Sequence, residues 1–294
     1  YDEPFADSSA IPTYYVSKIA RERVTVALGG DGGDESLAGY RRYKLDYFEN
    51  RLRRYVPAPL RSRLFGPLGR WYPAMAWAPR IIRAKATFQN LACTPLEGYF
   101  HSISYFRPHD KARLFTVDFR NRLAGHDSLD VLRRYYDRAD TTDLLSKIQY
   151  VDIKTYLTDD ILTKVDRASM AVSLEVRAPM LDHKFMECIA SVPSELKLRN
   201  GTGKYILKKS LEPLLPAEIL YRPKQGFAVP LRQWFRRELK TMAREIIVET
   251  EDGILDKSFL KKIWDQHQRG HYDRSALLWA ILMFRRWQQI YRTV

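Results

Sequence analysis

The stretch Val24-Thr25-Val26-Ala27-Leu28-Gly29-Gly30-Asp31-Gly32-Gly33-Asp34-Glu35 decides how this chain is read. Its first five residues are β-branched or apolar and predict a short buried strand. The strand runs into a loop of four glycines and three carboxylates, Asp31, Asp34 and Glu35. Glycines so close together let a backbone take positive φ and approach a ligand with no Cβ in the way. At the mouth of a following helix, the N–H groups of Gly29, Gly30, Gly32 and Gly33 are candidates for a phosphate cradle. Carboxylates beside such a cradle would repel the anion unless a Mg²⁺ lies between them, because that ion combines one or two carboxylates with phosphate oxygens. The loop therefore reads as a site for nucleotide or pyrophosphate with metal. The plainer alternative is a tight turn whose acids favour a helix dipole, but three acids at 31, 34 and 35 exceed what a cap needs. No Gly-Lys-Ser/Thr follows the glycines, so the loop is not a Walker A motif.

The 294 residues suffice for one large or two ordinary domains. With 45% hydrophobic and 13% aromatic residues the chain reads as packed and globular rather than disordered. Lys and Arg exceed Asp and Glu by 49 to 35, a net charge of +14, which favours anionic partners. The cations are dispersed, however, and local clusters at 51–54, 61–63 and 232–237 read as solvated helix faces, not as a nucleic-acid surface. Two distant cysteines, Cys93 and Cys188, have neither disulfide-scaffold nor metal spacing and point to a reducing, cytoplasmic setting. The longest apolar run, 276–284, is too short for a membrane span of ~20 residues. The chain opens on Tyr1, not Met, within apparent structure, so a piece of a longer polypeptide is expected.

Outward from the loop, Asp7-Ser8-Ser9 offers N-caps to a helix with Pro12 in its first turn. Leu37, Tyr40, Tyr43 and Tyr47 predict one helix leaving the loop. Prolines 57, 59, 67, 73 and 79 break the following segment into short helices and turns, and short helical patterns continue over 96–140. A long amphipathic pattern over 141–171 is interrupted near Asp159-Asp160. Helices are expected at 203–215, 231–249 and 274–292, and extended chain near 196–199. The fold expected is thus predominantly helical, with one α/β edge near its start.

A second group of chemistry-bearing residues opens at Asp159-Asp160, read as a helix N-terminus, with Asp160, Lys164 and Arg167 sharing a face at i, i+4 and i+7. Ile161, Leu162, Val165 and Met170 make much of the remaining surface apolar, so the charged stripe is expected to line a polar cavity. Residues 173–182 read as extended chain, with Glu175 and Arg177 on one side as a structural ion pair. Asn200-Gly201 marks a tight turn. Lys204 is then expected in the first turn of a helix, where the dipole disfavours a cation unless it reaches an anion. A basic turn, Arg222-Pro223-Lys224-Gln225-Gly226-Phe227, is either a second anion contact or a simple loop.

Taken together, residues 2–9, 29–35, 160–170, 175–182, 203–207 and 222–227 resemble the synthetase domain of the glutamine-hydrolysing asparagine synthetase family. The resemblance implies an α/β fold of the adenine-nucleotide α-hydrolase-like, ATP-pyrophosphatase type. It implies activation of the aspartate side chain as β-aspartyl-AMP with release of pyrophosphate, followed by displacement of AMP by ammonia from glutamine. The partners implied are ATP, Mg²⁺, aspartate and ammonia, with no nucleic acid and no membrane span; a homodimer is a further expectation. By the same resemblance Gly29 and Gly30 contact ATP, Asp31 is tied to acyl-adenylate formation, and Asp34 is the Mg²⁺ ligand. Lys204 stabilises the charged transition state, and Asp160 is assigned to the aminoacyl or ammonia side. Residues 1–50 correspond to a remnant of the nucleotide-binding part, 51–140 to a helical insertion and 141–294 to a helical substrate and ATP-site part.

Several features depart from the family pattern. The first phosphate loop, Ser-Gly-Gly-x-Asp-Ser-Ser, and the glutaminase domain are not found in these residues. Gly29 stands where the family usually has Ser, and Ser36-Leu37-Ala38 replaces a Leu-Phe-Gly-like run. The 294 residues alone are accordingly expected to bind ATP poorly. Other readings keep the chemistry but change the acceptor to a sugar or surface-polysaccharide carboxylate, or make the chain a noncatalytic binding module.

Overall fold

A computed structural model describes residues 1–72, 84–223, 226–270 and 272–291. Pro73, Pro79 and the Lys224-Gln225 part of the expected basic turn lie outside the described residues. The structure is mostly helical and divides into two compact units. One comprises Tyr14–Ile103 and Ser128–Gly226 and contains the glycine-rich loop; the other comprises Tyr1–Thr13, Ser104–Asp127 and Phe227–Val294.

In the loop-containing unit, β1 (Val26–Leu28) pairs in parallel with β2 (Glu175–Arg177), Val26 opposite Glu175 and Leu28 opposite Arg177. Parallel strands require a long crossover, and the helices between positions 29 and 174 supply it. The extended reading of 173–182 thus resolves into a paired strand, and Glu175 and Arg177 do form an ion pair, at 2.7 Å. The expected burial of β1 is corrected: Val24, Val26 and Leu28 are exposed, Leu28 by 74%. Among the described residues β1 has β2 as its one strand neighbour, which leaves its other edge and part of its faces open. A second pair, β3 (Leu198–Arg199) and β4 (Thr202–Gly203), is antiparallel around Asn200-Gly201. Both turn residues have positive φ, 50° and 73°, as a two-residue hairpin of the Asn-Gly type demands.

The single helix expected after the loop is two helices. Gly33–Ser36 makes one turn, the chain breaks with Ala38 at φ 55°, and a second helix runs Arg41–Tyr55. Leu37, Ala38 and Tyr43 are fully buried, whereas Tyr47 is exposed. The break is held by one long-range and one local bond: the Lys204 N–H donates to Leu37 O at 2.8 Å and the Gly39 N–H to Asp34 O at 2.8 Å. Arg53 corrects the solvated reading of the 51–54 cluster. It is buried, donating to Asn90 O at 2.7 Å and lying 3.8 Å from Glu49.

The interruption near Asp159-Asp160 is a π-helical stretch, Tyr156–Leu162, between helices Leu144–Lys154 and Thr163–Met170. Asp159 and Asp160 therefore lie within this π turn, not at a helix N-terminus, and the i, i+4 spacing to Lys164 spans a change of pitch. Burial along this region also differs from expectation. Lys164 is buried, Ile161, Leu162 and Val165 are half-buried, and Met170 is exposed.

The other unit packs one contiguous apolar cluster that includes Phe235, Ile247, Leu260, Trp264 and Leu278. The helix expected at 274–292 runs Ser275–Tyr291, and Leu277, Leu278, Ile281 and Leu282 form its buried stripe. The helix expected at 231–249 is split into Leu231–Trp234, Lys240–Arg244 and a π-helical Glu245–Glu249. Arg285, 2% exposed, accounts for part of that irregularity by donating to the carbonyls of Ile246 and Ile247 at 2.6 and 2.8 Å. Carbonyls served by a guanidinium need no helical N–H partner.

Candidate functional site

At the end of β1 the Gly29 N–H donates to Arg177 O at 2.7 Å, extending the strand pairing by one residue into the loop. A Cβ on Gly29 would lie 2.6 Å from Asp31 Oδ2 and 3.1 Å from Val176 Cγ1, so any side chain there displaces the Asp31 carboxylate. Gly32 has φ +82°, and a Cβ would fall 2.0 Å from Leu181 Cδ2; both backbone and packing require glycine. Gly30 faces open space. Gly33 starts the one-turn helix, and its side-chain position lies 3.6 Å from Lys204 Nζ.

Lys204 reaches this helix from a position far along the chain. It occupies the N-cap of helix Tyr205–Leu211 in the left-handed region, φ 55°, not the first turn as expected. Such a backbone is strained for a residue with a side chain. The strain is held by the hairpin before it and by the bond to Leu37 O. Lys204 Nζ lies 2.9 Å from Asp34 Oδ1, with the two side chains 28% and 23% exposed. The acidic loop and Lys204, separated widely in sequence, thus converge on one place.

Two glycines make that convergence sterically feasible. A Cβ on Gly39 would lie 1.9 Å from Asp34 Oδ1 and 2.5 Å from Lys204 Cε. A Cβ on Gly203 would lie 2.2 Å from Ala38 O. Gly39 is singled out by no sequence motif, and Gly203 opens the 203–207 motif without showing there that its contact with Ala38, far away in the chain, is what requires glycine.

The remaining acids differ from one another in environment. Burial raises the Asp31 carboxyl above its usual range; the Lys164 charge opposes that shift and the Asp34 charge adds to it. The cation on helix Thr163–Met170 therefore acts electrostatically on the loop. Asp160, half-buried, belongs to the π turn just before that helix and not to the loop. Glu35 is 1% exposed and accepts from Tyr40 Oη at 2.6 Å. Its carboxyl is raised by burial, with the tyrosine bond working against the shift. Behind the loop, Gln149 Nε2 donates to Glu35 O at 2.6 Å and Ser36 O at 2.9 Å.

A further polar group supports the helix after the loop. Asp152, fully buried, accepts from Arg42 at 2.8 Å and from the Tyr43 and Tyr99 hydroxyls at 2.5 Å each. Arg42 also stacks over Tyr40 and Tyr156, 4.0 and 4.3 Å from the ring centroids. Glu35, Tyr40, Arg42 and Asp152 thus form a chain of contacts running inward from the loop. Sequence reading missed it because its closing link, Arg42 to Asp152, joins residues 110 apart in the chain.

Among the described residues no group of three or more His, Cys, Asp or Glu is arranged to hold a metal by itself. Asp34, with Asp31 close enough to sense its charge, supplies the hard oxygen donors that Mg²⁺ takes one or two at a time. These donors fit a metal whose coordination is completed by phosphate. No helix among the described residues is long and apolar enough to cross a membrane.

The asparagine synthase family model matches residues 1–289. Asparagine synthetase (glutamine-hydrolyzing) 1 of Bacillus subtilis (strain 168) is 34% identical over 300 residues, covering 99% of this chain and 44% of that protein. A putative asparagine synthetase (glutamine-hydrolyzing) of Mycobacterium tuberculosis is 33% identical over 297 residues, covering 99% of this chain and 43% of that protein. The asparagine synthetase of Gallus gallus is 32% identical over a shorter span of 137 residues. The chain spans less than half the length of the curated relatives it matches most fully. With a match running nearly from end to end, the chain belongs to the asparagine synthase family.

Proposed function

We propose that this chain carries part of the ATP site of an AMP-forming ligase that amidates the side chain of aspartate, on a fold of the adenine-nucleotide α-hydrolase type. The observation that carries the reading is the 2.9 Å approach of Lys204 to Asp34 beside the glycine-rich turn. In this reading a carboxylate oxygen of aspartate attacks the α-phosphorus of ATP, and the bond to pyrophosphate breaks. Ammonia from glutamine then attacks the acyl carbon, AMP departs, and the nitrogen loses a proton.

The residues divide this work by their chemistry. Gly29, Gly30, Gly32 and Gly33 let the backbone approach the phosphates. Asp34 would hold a Mg²⁺, which when bound screens phosphate charge. Lys204 leaves Asp34 as nucleotide enters and turns its ammonium to the negative charge that develops on the leaving pyrophosphate, a preorganised electrostatic role. Asp31, its carboxyl raised by burial, and Asp160 are assigned to the acyl side of the site. The edge of β1 left unpaired among the described residues and the short span relative to its relatives support the further reading that these 294 residues enclose only part of the pocket.

Isothermal titration of the 294-residue chain with Mg-ATP tests that reading, and weak binding is expected; micromolar affinity would contradict the partial enclosure. Fusing the upstream residues of the Bacillus subtilis relative is expected to give aspartate-dependent release of pyrophosphate. In that fusion Lys204→Met should lower release by about a hundredfold or more, the usual loss for one electrostatic stabiliser. Unchanged release in both Lys204→Met and Asp34→Asn would sink the assignment of this site.

A further inference from the structure

Behind the acidic loop, within the same unit, lies a cavity of about 330 Å³ lined by Lys197, Gln149, Asp140, Ile153, Met186 and Ile189, among others. Its size falls at the lower end of small-molecule sites. Two of its residues are buried with polar groups that the protein serves incompletely. Lys197 is 4% exposed, and its ammonium makes no hydrogen bond or ion pair with the described residues. The Asp143 charge acts on it without an ion-pair contact, and that carboxylate accepts from Ser146 N at 2.8 Å and from the Ser194 hydroxyl. Gln149 is 3% exposed, and while its Nε2 holds the carbonyls of Glu35 and Ser36, its Oε1 has no donor. An orphaned buried acceptor is costly, and so is a buried cation with no direct partner. Burial correspondingly lowers the Lys197 ammonium below its usual range.

From these groups we infer that the cavity is a binding site for an α-amino acid with an apolar side chain. Each part of such a molecule answers one part of the wall. Its carboxylate pairs with Lys197, and its ammonium faces the Asp140 carboxylate. Its hydrocarbon side chain lies against Ile153, Met186 and Ile189. A simple carboxylate would leave Asp140 unanswered, and a phosphate or sugar would leave the aliphatic wall unused. The site is separate from the Asp34–Lys204 pair and does not depend on the nucleotide reading. It touches the loop through Gln149, which lines the cavity and holds the loop carbonyls.

An NMR titration of the ¹⁵N-labelled chain with L-leucine tests the inference. Saturable shifts are expected at the Gln149 side-chain amide and at the backbone amides of 35–37. 4-Methylpentanoate, which lacks the amine, and isopentylamine, which lacks the carboxylate, should each bind at least tenfold more weakly. L-Aspartate should also bind more weakly at this place. Lys197→Met should weaken leucine at least tenfold, whereas Lys197→Arg, which keeps the charge, should retain measurable binding. Lys204→Ala should leave leucine binding unchanged, so failure of the nucleotide reading would be seen separately. The absence of saturable shifts would mean a cavity that holds water only and would overturn the inference. Equal binding of leucine and 4-methylpentanoate to the unaltered chain, or undiminished binding by a folded Lys197→Met, would overturn it as well.

Discussion

The two compact units bury different kinds of side chain. The unit of 1–13, 104–127 and 227–294 is built around one contiguous apolar cluster, and the ionisable groups most buried in it among the described residues, His267 and Arg285, bond backbone groups, with Arg285 also 3.5 Å from Asp252. The loop-containing unit has two smaller apolar clusters and buries Glu35, Asp46, Glu49, Arg53, Asp152, Lys164 and Lys197 among them. Buried charge is costly and survives where partners are arranged around it. One unit therefore owes its stability chiefly to apolar packing, while the other spends stability on placing charges where chemistry needs them. Function is expected where the costs lie.

The largest effect expected from this contrast is at Asp152. Asp152→Ala leaves the Arg42 guanidinium and the Tyr43 and Tyr99 hydroxyls unserved in the interior, and should cost about 3–5 kcal/mol, as removal of one member of a buried ion pair does. Leu260→Ala, in the apolar cluster of the other unit, should cost about 2–5 kcal/mol through its cavity alone. Chemical denaturation measures both. The contrast is sharpened by Asp152→Leu, which should remain strongly destabilising, whereas Leu260→Met should cost less than about 1.5 kcal/mol. A neutral Asp152→Leu would break the distinction between the units.

pH separates two buried groups, one in each unit, by sign. Burial raises the Asp46 carboxyl to about 7, with Asn50 donating to one of its oxygens. An unfolded Asp titrates near 3.9, so between roughly pH 4 and 7 the folded state holds more protons than the unfolded one. Asp46 thus contributes stability in acid that is lost as pH rises toward 7. His267 behaves oppositely, because burial lowers its folded pKa below the ordinary value. Its contribution is present above pH of about 6.5 and is lost as pH falls through the lowered folded value. Melting temperatures at pH 5, 6, 7 and 8 should show Asp46→Asn flattening the loss on the alkaline side and His267→Gln flattening that on the acid side. Shifts of the same sign in both variants would refute the distinction.

What could be read from the sequence follows the same division. The stripe Leu277, Leu278, Ile281, Leu282 announces a buried helix because apolar spacing and helical pitch agree locally. The glycine-rich turn, the Asn200-Gly201 hairpin and Lys204 were legible because each requires a special backbone or an unusual charge. The exposed face of β1 and the break at Ala38 were not, since both depend on which segments lie alongside. Nor were the π turns at 156–162 and 245–249, which the periodicity registers as an interruption at most. Asp152 and Lys197 are invisible to pattern because their significance is set by tertiary partners, or by the lack of them.

Gly203→Ala should have a smaller effect on stability than Asp152→Ala and a larger one on the site. The added methyl would fall 2.2 Å from Ala38 O, a backbone atom that cannot step aside as a flexible side chain can. Overpacking of this kind costs about 1–3 kcal/mol. The displacement is transmitted to Lys204 next in sequence, so the Lys204–Asp34 distance should lengthen in a crystal structure of the variant. Gly30→Ala, whose methyl meets nothing within 4 Å, is the matched control and should leave the pair intact.

The smallest effect is expected where a charge pair is fully visible in the sequence. Glu175 and Arg177 meet at 2.7 Å, but their side chains are 54% and 65% exposed. Water and salt screen a pair so placed, and holding two long side chains in one geometry costs entropy. Glu175→Gln should therefore change stability by less than about 0.5 kcal/mol, and 1 M salt should abolish even that difference. The bond that matters at this strand is the backbone one from Gly29 N to Arg177 O, which Glu175→Gln leaves untouched. If denaturation showed a loss comparable to that of Asp152→Ala, charge at the exposed edge would be doing what is here assigned to charge in the interior, and burial would no longer separate structural from functional ion pairs in this unit.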